Sequence, residues 1–254
     1  AELAEEWDVE IAGEGAKELR ADAHNPVARA MARAFEAAGT PGQAARLRCE
    51  NGIPAGRGLG SSAAAIVGGL MLGHALAGQA PDKGALLEQA TAIEGHPDNV
   101  AAVIHGGFVI SAIEADVPVA LPVAVGGGIA AVVAIAALPF NTRRARHLLP
   151  QAVPHADAAF NAGRAGMLAA GISVGRADLV AMGGHDRLHE AYRFDSLPGA
   201  AEVVVTLRAL GVDAAVLSGA GPTVVGLVLA EDDERALERA NQETDAASEG
   251  VAAP

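Results

Sequence analysis

Aromatic side chains make up only 3% of the 254 residues, so the core has to be assembled from Ala, Val, Leu and Ile in closely approaching elements. A single cysteine, Cys49, excludes an internal disulfide and suits a reducing compartment; the residue itself reads as a small buried hydrophobe. Lysine occurs only at Lys17 and Lys83, and none lies near the main glycine-rich loop. That excludes a P-loop ending in Gly-Lys-Ser/Thr. The net charge of −13 argues against a nucleic-acid surface. It also means that a phosphate ligand has to be captured by local dipoles, a few arginines and a metal ion. The apolar run from Gly126 to Pro139 is too short, and too rich in Gly and Ala, to span a membrane. No basic-then-apolar leader opens the sequence, and a cytoplasmic protein is the expectation. The glycines of Gly56-Arg-Gly-Leu-Gly60 are spaced wrongly for a dinucleotide fingerprint. Neither a zinc-ligand cluster around a histidine pair nor a nucleophile elbow for hydrolase chemistry is expected.

What is present is a core-forming chain, 51% hydrophobic and long enough for one large domain or two packed ones. Its organising stretch is Pro54-Ala-Gly-Arg-Gly-Leu-Gly-Ser-Ser62, followed by the apolar run Ala63 to Leu76. Three glycines allow the backbone to come close to a ligand, and the helix that follows presents unpaired N–H groups and partial positive charge. A glycine-rich turn before a buried helix and an anion cradle both fit this pattern.

Periodicity predicts strands at Glu5–Ala12 and Ala44–Glu50, with a helix between them started by Asn25-Pro26 and ended near Gly39. Helices follow over Ala63–Leu76, from Pro81-Asp82, and over Val100–Ile104 with Asp98 or Asn99 as N-cap, and then strands at 106–111, 117–125 and 129–136. Gly126-Gly-Gly128 reads as a hairpin link between the last two, and the prolines and glycines around it mark the domain boundary. Beyond it come a short basic helix at 142–149, helices at 154–170, 178–182, 185–191 and 200–209, strands at 214–218 and 224–229, and a helix at 231–240. The tail from Glu243 is polar and small. The mixture is neither strictly βαβ nor segregated, which makes the class α+β.

Four further clusters carry chemistry. Glu94-Gly-His-Pro-Asp-Asn99 places two carboxylates, an imidazole and an amide at a break between helices; it serves equally as a capping turn or as a polar ligand site. Glu94 and Ser62 together supply the carboxylate and hydroxyl that Mg²⁺ accepts alongside water and phosphate. Thr142-Arg-Arg-Ala-Arg146 is a solvated basic face or an anion clamp. Arg193, at the end of Asp186-Arg-Leu-His-Glu-Ala-Tyr-Arg193, is a surface arginine or a bidentate carboxylate partner. Ser218-Gly-Ala-Gly-Pro-Thr223 is a hairpin turn or a second close backbone approach.

The two glycine motifs resemble the phosphate loop and C-terminal motif of the GHMP small-molecule kinases. Glu94-Gly-His-Pro-Asp-Asn-Val100, Thr142–Arg146 and Arg187–Arg193 are similar to homoserine kinases in particular. The resemblance implies a two-domain kinase, with an N-terminal ribosomal protein S5 domain 2-like unit over residues 1–122 and a ferredoxin-like C-terminal unit over 123–254. ATP would lie on the loop Pro54, Ala55, Gly56, Arg57, Gly58, Leu59, Gly60, Ser61, Ser62 and Ala63. Mg²⁺ would be held by Ser62 and Glu94. Homoserine would be held by His96, Asn99, Thr142, Arg146, Arg193 and Gly221, with His96, Asn99 and Arg146 at the reacting centre and Asp98 as the nearest candidate base. The implied product is O-phospho-L-homoserine, on the route to threonine, and the implied assembly is a homodimer. Homoserine kinases begin with a strand and a motif of the type Ser-Ala-Asn-Leu-Gly-Pro-Gly-Phe-Asp, which does not occur here; the expectation is that these residues belong to a longer chain.

Overall fold

The computed structural model describes residues 1–137 and 148–230. Two compact units emerge: Ala1–Ala55 with Gly60–Val123, and Gly56–Leu59 with Ala124 onward.

In the first unit, β1 (Glu2–Ala4) and β2 (Asp8–Gly13) flank β3 (Ala44–Asn51). β1 runs antiparallel to β3, and β2 runs parallel to it, with Val9 opposite Leu47. The parallel pair is joined by α1 (Pro26–Ala37), whose start is set as the sequence predicts: Asn25 Oδ1 accepts from Val27 N at 2.9 Å, with proline in the first turn. The helix buries Met31 and Phe35 against Val9, Ala45 and Leu47.

The other core of this unit is organised by α2 (Ser61–Leu76), which packs on α1, on α3 (Lys83–Glu94) and on α4 (Asp98–His105). Ile66, Val67 and Leu70 of α2 meet Leu86, Leu87 and Ala90 of α3 and Val100 of α4. A hairpin of β4 (Phe108–Glu114) and β5 (Val117–Val123) adds Val109 and Ala120 to that cluster. A chain poor in aromatics packs this way by letting helix backbones approach. A Cβ on Gly69 would stand 2.5 Å from Val27 O and 2.8 Å from Ala30 Cβ, whereas one on Gly68 meets nothing within 4 Å. Gly69→Ala is therefore expected to destabilise by about 2–3 kcal/mol although alanine is the better helix former, and Gly68→Ala to stabilise by up to about 1 kcal/mol. Denaturant titration of the pair checks this; equal midpoints would contradict the close-packed α1–α2 contact.

In the second unit, β6 (Gly128–Ala134) and β7 (Ala214–Leu217) flank β8 (Val224–Ala230) in an antiparallel sheet. It is accompanied by α5 (His155–Val174), α6 (Ala177–Gly183), α7 (Glu190–Phe194) and α8 (Ala200–Ala209). Val204 and Leu207 of α8 pack on Val132, Leu217, Val224 and Val228 of the sheet.

Four sequence expectations are corrected. Gly126-Gly-Gly128 is not a hairpin link: β5 pairs with β4 and β6 with β8, because the side-chain patterns of the two strands belong to different cores. The cap of α4 is Pro97, without a side-chain hydrogen bond, since Asp98 Oδ1 is turned to His96 and to the N–H of Asn99. The segment 185–189 is not helical, because Asp186 holds its backbone in a turn and α7 starts only at Glu190. Finally, Gly171-Ile-Ser-Val-Gly175 does have nucleophile-elbow spacing, but it forms the last turn and C-cap of α5 and not a strand-to-helix turn. Of the basic helix expected at 142–149, residues 142–147 lie outside the described residues and 148–149 are not helical; the helix at 231–240 and the tail also lie outside them. Among the described residues no helix is long and apolar enough to cross a membrane.

Candidate active site

In the first unit the site is built on two helix ends. Helix α2 begins at Gly60 with no side-chain cap, so its first N–H groups, at Ser61, Ser62 and Ala63, are not satisfied by a capping side chain. α3 is started by Asp82, whose Oδ1 accepts from Ala85 N at 2.8 Å, and closes at Glu94. Packing of α2 on α3 brings these ends together: Ser62 Oγ donates to Glu94 Oε2 at 2.9 Å. Glu94 Oε1 lies 4.0 Å from His96 Nε2, and His96 Nδ1 bonds Asp98 Oδ1. Residues 62, 94, 96 and 98 thus form one polar chain, with the Glu94 side chain 14% exposed. Asn99 is exposed in the first turn of α4.

Among the described residues no three His, Cys, Asp or Glu side chains converge into a cage for a metal ion. A hydroxyl and a carboxylate in contact beside an uncapped helix start are hard oxygen donors, and they suit Mg²⁺, which keeps several waters and shares phosphate oxygens.

In the second unit the residues of the first glycine loop meet the second. Gly56 and Gly58 take positive φ, at 68° and 76°, as does Gly60 of the first unit, at 78°. Ser218 Oγ donates to Gly58 O at 2.7 Å, and a Cβ on Gly58 would stand 2.3 Å from Ser218 O and 2.9 Å from Gly221 O. Only glycine accepts both the φ and the contact. Arg57 donates from Nε and Nη2 to the carbonyls of Ala136 and Ala137, each at 2.7 Å, anchoring the loop to the chain after β6. Pro54 and Ala55 group with the first unit, and Leu59 with the second.

Arg193, on α7, is 8% exposed. Its Nη1 donates to Gly219 O at 3.1 Å and lies 2.9 Å from His189 Nδ1. Sequence reasoning singled out Arg193 but not the residues around it. Asp186 Oδ1 accepts from the N–H groups of Leu188, His189 and Glu190, and its Oδ2 accepts from Asn161 Nδ2 at 2.6 Å. Burial raises the Asp186 carboxyl, but the N–H groups of Glu190 and His189 and the Asn161 amide more than offset this and leave it below its ordinary value. Glu190 Oε1 accepts from Leu217 N at 2.7 Å, and burial pushes that carboxyl up. The signal was in the sequence: Asp186, His189, Glu190 and Arg193 share one eight-residue motif. Thr142 and Arg146 lie outside the described residues.

The sequence matches the family models for the GHMP kinases N terminal domain over residues 25–107 and GHMP kinases C terminal over residues 156–246. With both models matched in order, and with curated relatives above 40% identity over most of their length, the chain belongs to the GHMP kinase family of small-molecule kinases. It is similar to the homoserine kinase of Streptomyces coelicolor, 42% identical over 230 residues that cover 89% of this chain and 74% of that protein. The homoserine kinase of Streptomyces avermitilis is 44% identical over 223 residues, covering 86% and 72%. A crystal structure of homoserine kinase from Cytophaga hutchinsonii superposes with a TM-score of 0.84 at 25% identity, covering 98% of this chain and 81% of that one. Within the GHMP kinases, homoserine kinases are what the chain is most like.

Proposed function

We propose that the chain transfers the γ-phosphoryl group of ATP to the side-chain hydroxyl of L-homoserine, giving O-phospho-L-homoserine for threonine synthesis. The observation that carries this reading is the Ser62–Glu94 pair, 2.9 Å apart at the uncapped start of α2, in a chain most like homoserine kinases. Phosphoryl transfer needs positioning and charge stabilisation more than covalent help from the protein. The N–H groups of Gly58 to Ser62 would hold the phosphates. Mg²⁺, held by Ser62 and Glu94, would supply neutralisation of the phosphate charge. Asn99 and His96 orient the substrate hydroxyl, and Asp98 holds His96 by its Nδ1. Asp98 is a positioning group in this scheme and not a base. On the second unit, Arg193 and the Gly221 turn bind the amino-acid end of homoserine. Thr142 and Arg146 complete the proposed substrate set. A single cysteine suits a cytoplasmic enzyme, and light scattering measures whether it assembles as the homodimer that the resemblance implies.

A coupled ADP-release assay across homoserine, mevalonate and galactose tests the reaction, and turnover with mevalonate exceeding that with homoserine would overturn it. The role of Arg193 has its own test. Arg193→Ala is expected to raise the homoserine KM about 100-fold, the size of a lost bidentate charge pair, with the ATP KM within about threefold of wild type. Equal effects on both would remove Arg193 from the substrate site.

A further inference from the structure

We propose that His189 is the positioning residue for the Arg193 guanidinium, and that it does this only as a neutral imidazole protonated on Nε2. The inference rests on the reading of Arg193 as the substrate carboxylate partner. A guanidinium has donors and no acceptor. Arg193 Nη1 stands 2.9 Å from His189 Nδ1, so Nδ1 must supply the lone pair and the ring hydrogen must sit on Nε2. Nε2 faces Asp186 Oδ2 at 3.6 Å, too long for a direct hydrogen bond but close enough for the carboxylate charge to favour a hydrogen on that nitrogen.

Asp186, His189 and Arg193 therefore stand in line, a charge contact followed by a hydrogen bond, and the two ends are held from outside. Asp186 is fixed by three backbone N–H groups and by Asn161 of α5. The helix that carries Arg193 is tied to β7 through Glu190 and Leu217 N, directly before the second glycine turn. The other Nη1 hydrogen goes to Gly219 O in that same turn. The guanidinium is thus aimed by two acceptors of different origin, one of which can be titrated.

Protonation of His189 would remove the Nδ1 lone pair and set a second cation against Arg193. Burial lowers the His189 pKa from its usual 6.5, Asp186 opposes this, and Arg193 adds to it. The neutral form therefore predominates at pH 7 and is lost as pH falls below 6.5. Among the described residues, Arg187 and Glu190 of the same stretch and Arg208 of α8 are engaged elsewhere. Arg187 lies over the Phe160 ring and reaches Asp157, Glu190 faces Leu217 N, and Arg208 donates to Gly184 O and Ala215 O.

The test uses His189→Leu and His189→Asn, each also combined with Arg193→Ala. His189→Leu is expected to raise the homoserine KM about tenfold, the size of one charge-assisted hydrogen bond, while kcat and the ATP KM stay within about twofold. In His189→Asn the Oδ1 stands near the position of Nδ1 and does not titrate. It should bring the homoserine KM back to within about threefold of wild type and flatten the fall in homoserine kcat/KM that is expected of wild type as the pH drops below 6.5. In the Arg193→Ala background, His189→Leu should add nothing. Leucine and asparagine variants that behave alike, or an asparagine variant that keeps the wild-type pH profile, would overturn the proposal. If the leucine variant fails to fold, the pH profile of the asparagine variant decides alone. If Arg193→Ala raises the homoserine KM and His189→Leu does not, only the positioning role falls. If Arg193→Ala itself leaves that KM unchanged, both fall.

Discussion

Glu94→Gln is expected to lower kcat by about three orders of magnitude, the largest loss of any single substitution in the first unit. The amide keeps the size of the side chain and can still accept from Ser62 Oγ, which bonds Glu94 Oε2 at 2.9 Å in the wild type. What it loses is the negative charge, placed at the end of α3 against the open start of α2. That charge is the feature a divalent cation needs beside a hydroxyl ligand. A shape-preserving change should therefore leave the thermal unfolding midpoint nearly unchanged. Turnover should collapse, and the Mg²⁺ concentration needed for tight nucleotide binding should rise. Steady-state kinetics at saturating ATP and homoserine, with calorimetric ATP titrations at several Mg²⁺ concentrations, separate the effects. Turnover within about threefold of wild type, at an unchanged Mg²⁺ requirement, would remove Glu94 from the metal site. Ser62→Ala should move both measurements in the same direction by less, because it removes a neutral ligand and leaves the charge in place.

Gly58→Ala is expected to be the most damaging methyl group that can be added to the loop. The new carbon would lie 2.3 Å from Ser218 O and 2.9 Å from Gly221 O. Both are main-chain atoms, so no rotamer change relieves the overlap. The backbone would also have to hold φ 76° with a Cβ present. Relief requires the two glycine turns to separate, which breaks the 2.7 Å bond from Ser218 Oγ to Gly58 O. A stability loss of about 3 kcal/mol, with an ATP KM raised at least about 100-fold, is the expected outcome. Gly60→Ala is the matched control. Its φ is 78°, but a Cβ there meets nothing within 4 Å, so it should carry only the left-handed backbone cost of about 1–2 kcal/mol. Denaturant titration of both variants compares the two effects directly. A Gly58→Ala protein no less stable than Gly60→Ala would show that the two turns do not touch.

Elements whose start is written in a local side chain were legible in the sequence. Asn25 caps as expected, and the helix expected to begin at Pro81-Asp82 does so with Asp82 as its cap, since an Asx side chain and a first-turn proline act within three residues. The glycine loop, the Glu94 cluster and Arg193 were also visible, because each is a short run of unusual residue types. Strand partners were not. Nothing in Gly126-Gly-Gly128 states that β6 pairs with β8, ninety residues away, and not with its neighbour β5. Sheet pairing is decided by which apolar face fits which core, a non-local condition.

Composition and periodicity alone determined that this chain is acidic, nearly cysteine-free and alanine-packed, of α+β class, with a glycine-rich loop opening a helix; the reading of that loop as a kinase phosphate loop came from its resemblance to the GHMP kinases. Chemistry of that kind depends on residue identity. Tertiary structure decided the partners. It set Ser62 on Glu94 across thirty-two positions, Ser218 on Gly58 across one hundred and sixty, and His189 between Asp186 and Arg193. It also committed Arg57 to two carbonyls, a role its place in the loop does not reveal. The physical reason is the range of the forces involved. Caps and glycine turns act over a few residues, whereas a hydrogen bond between distant side chains exists only once packing has fixed both backbones.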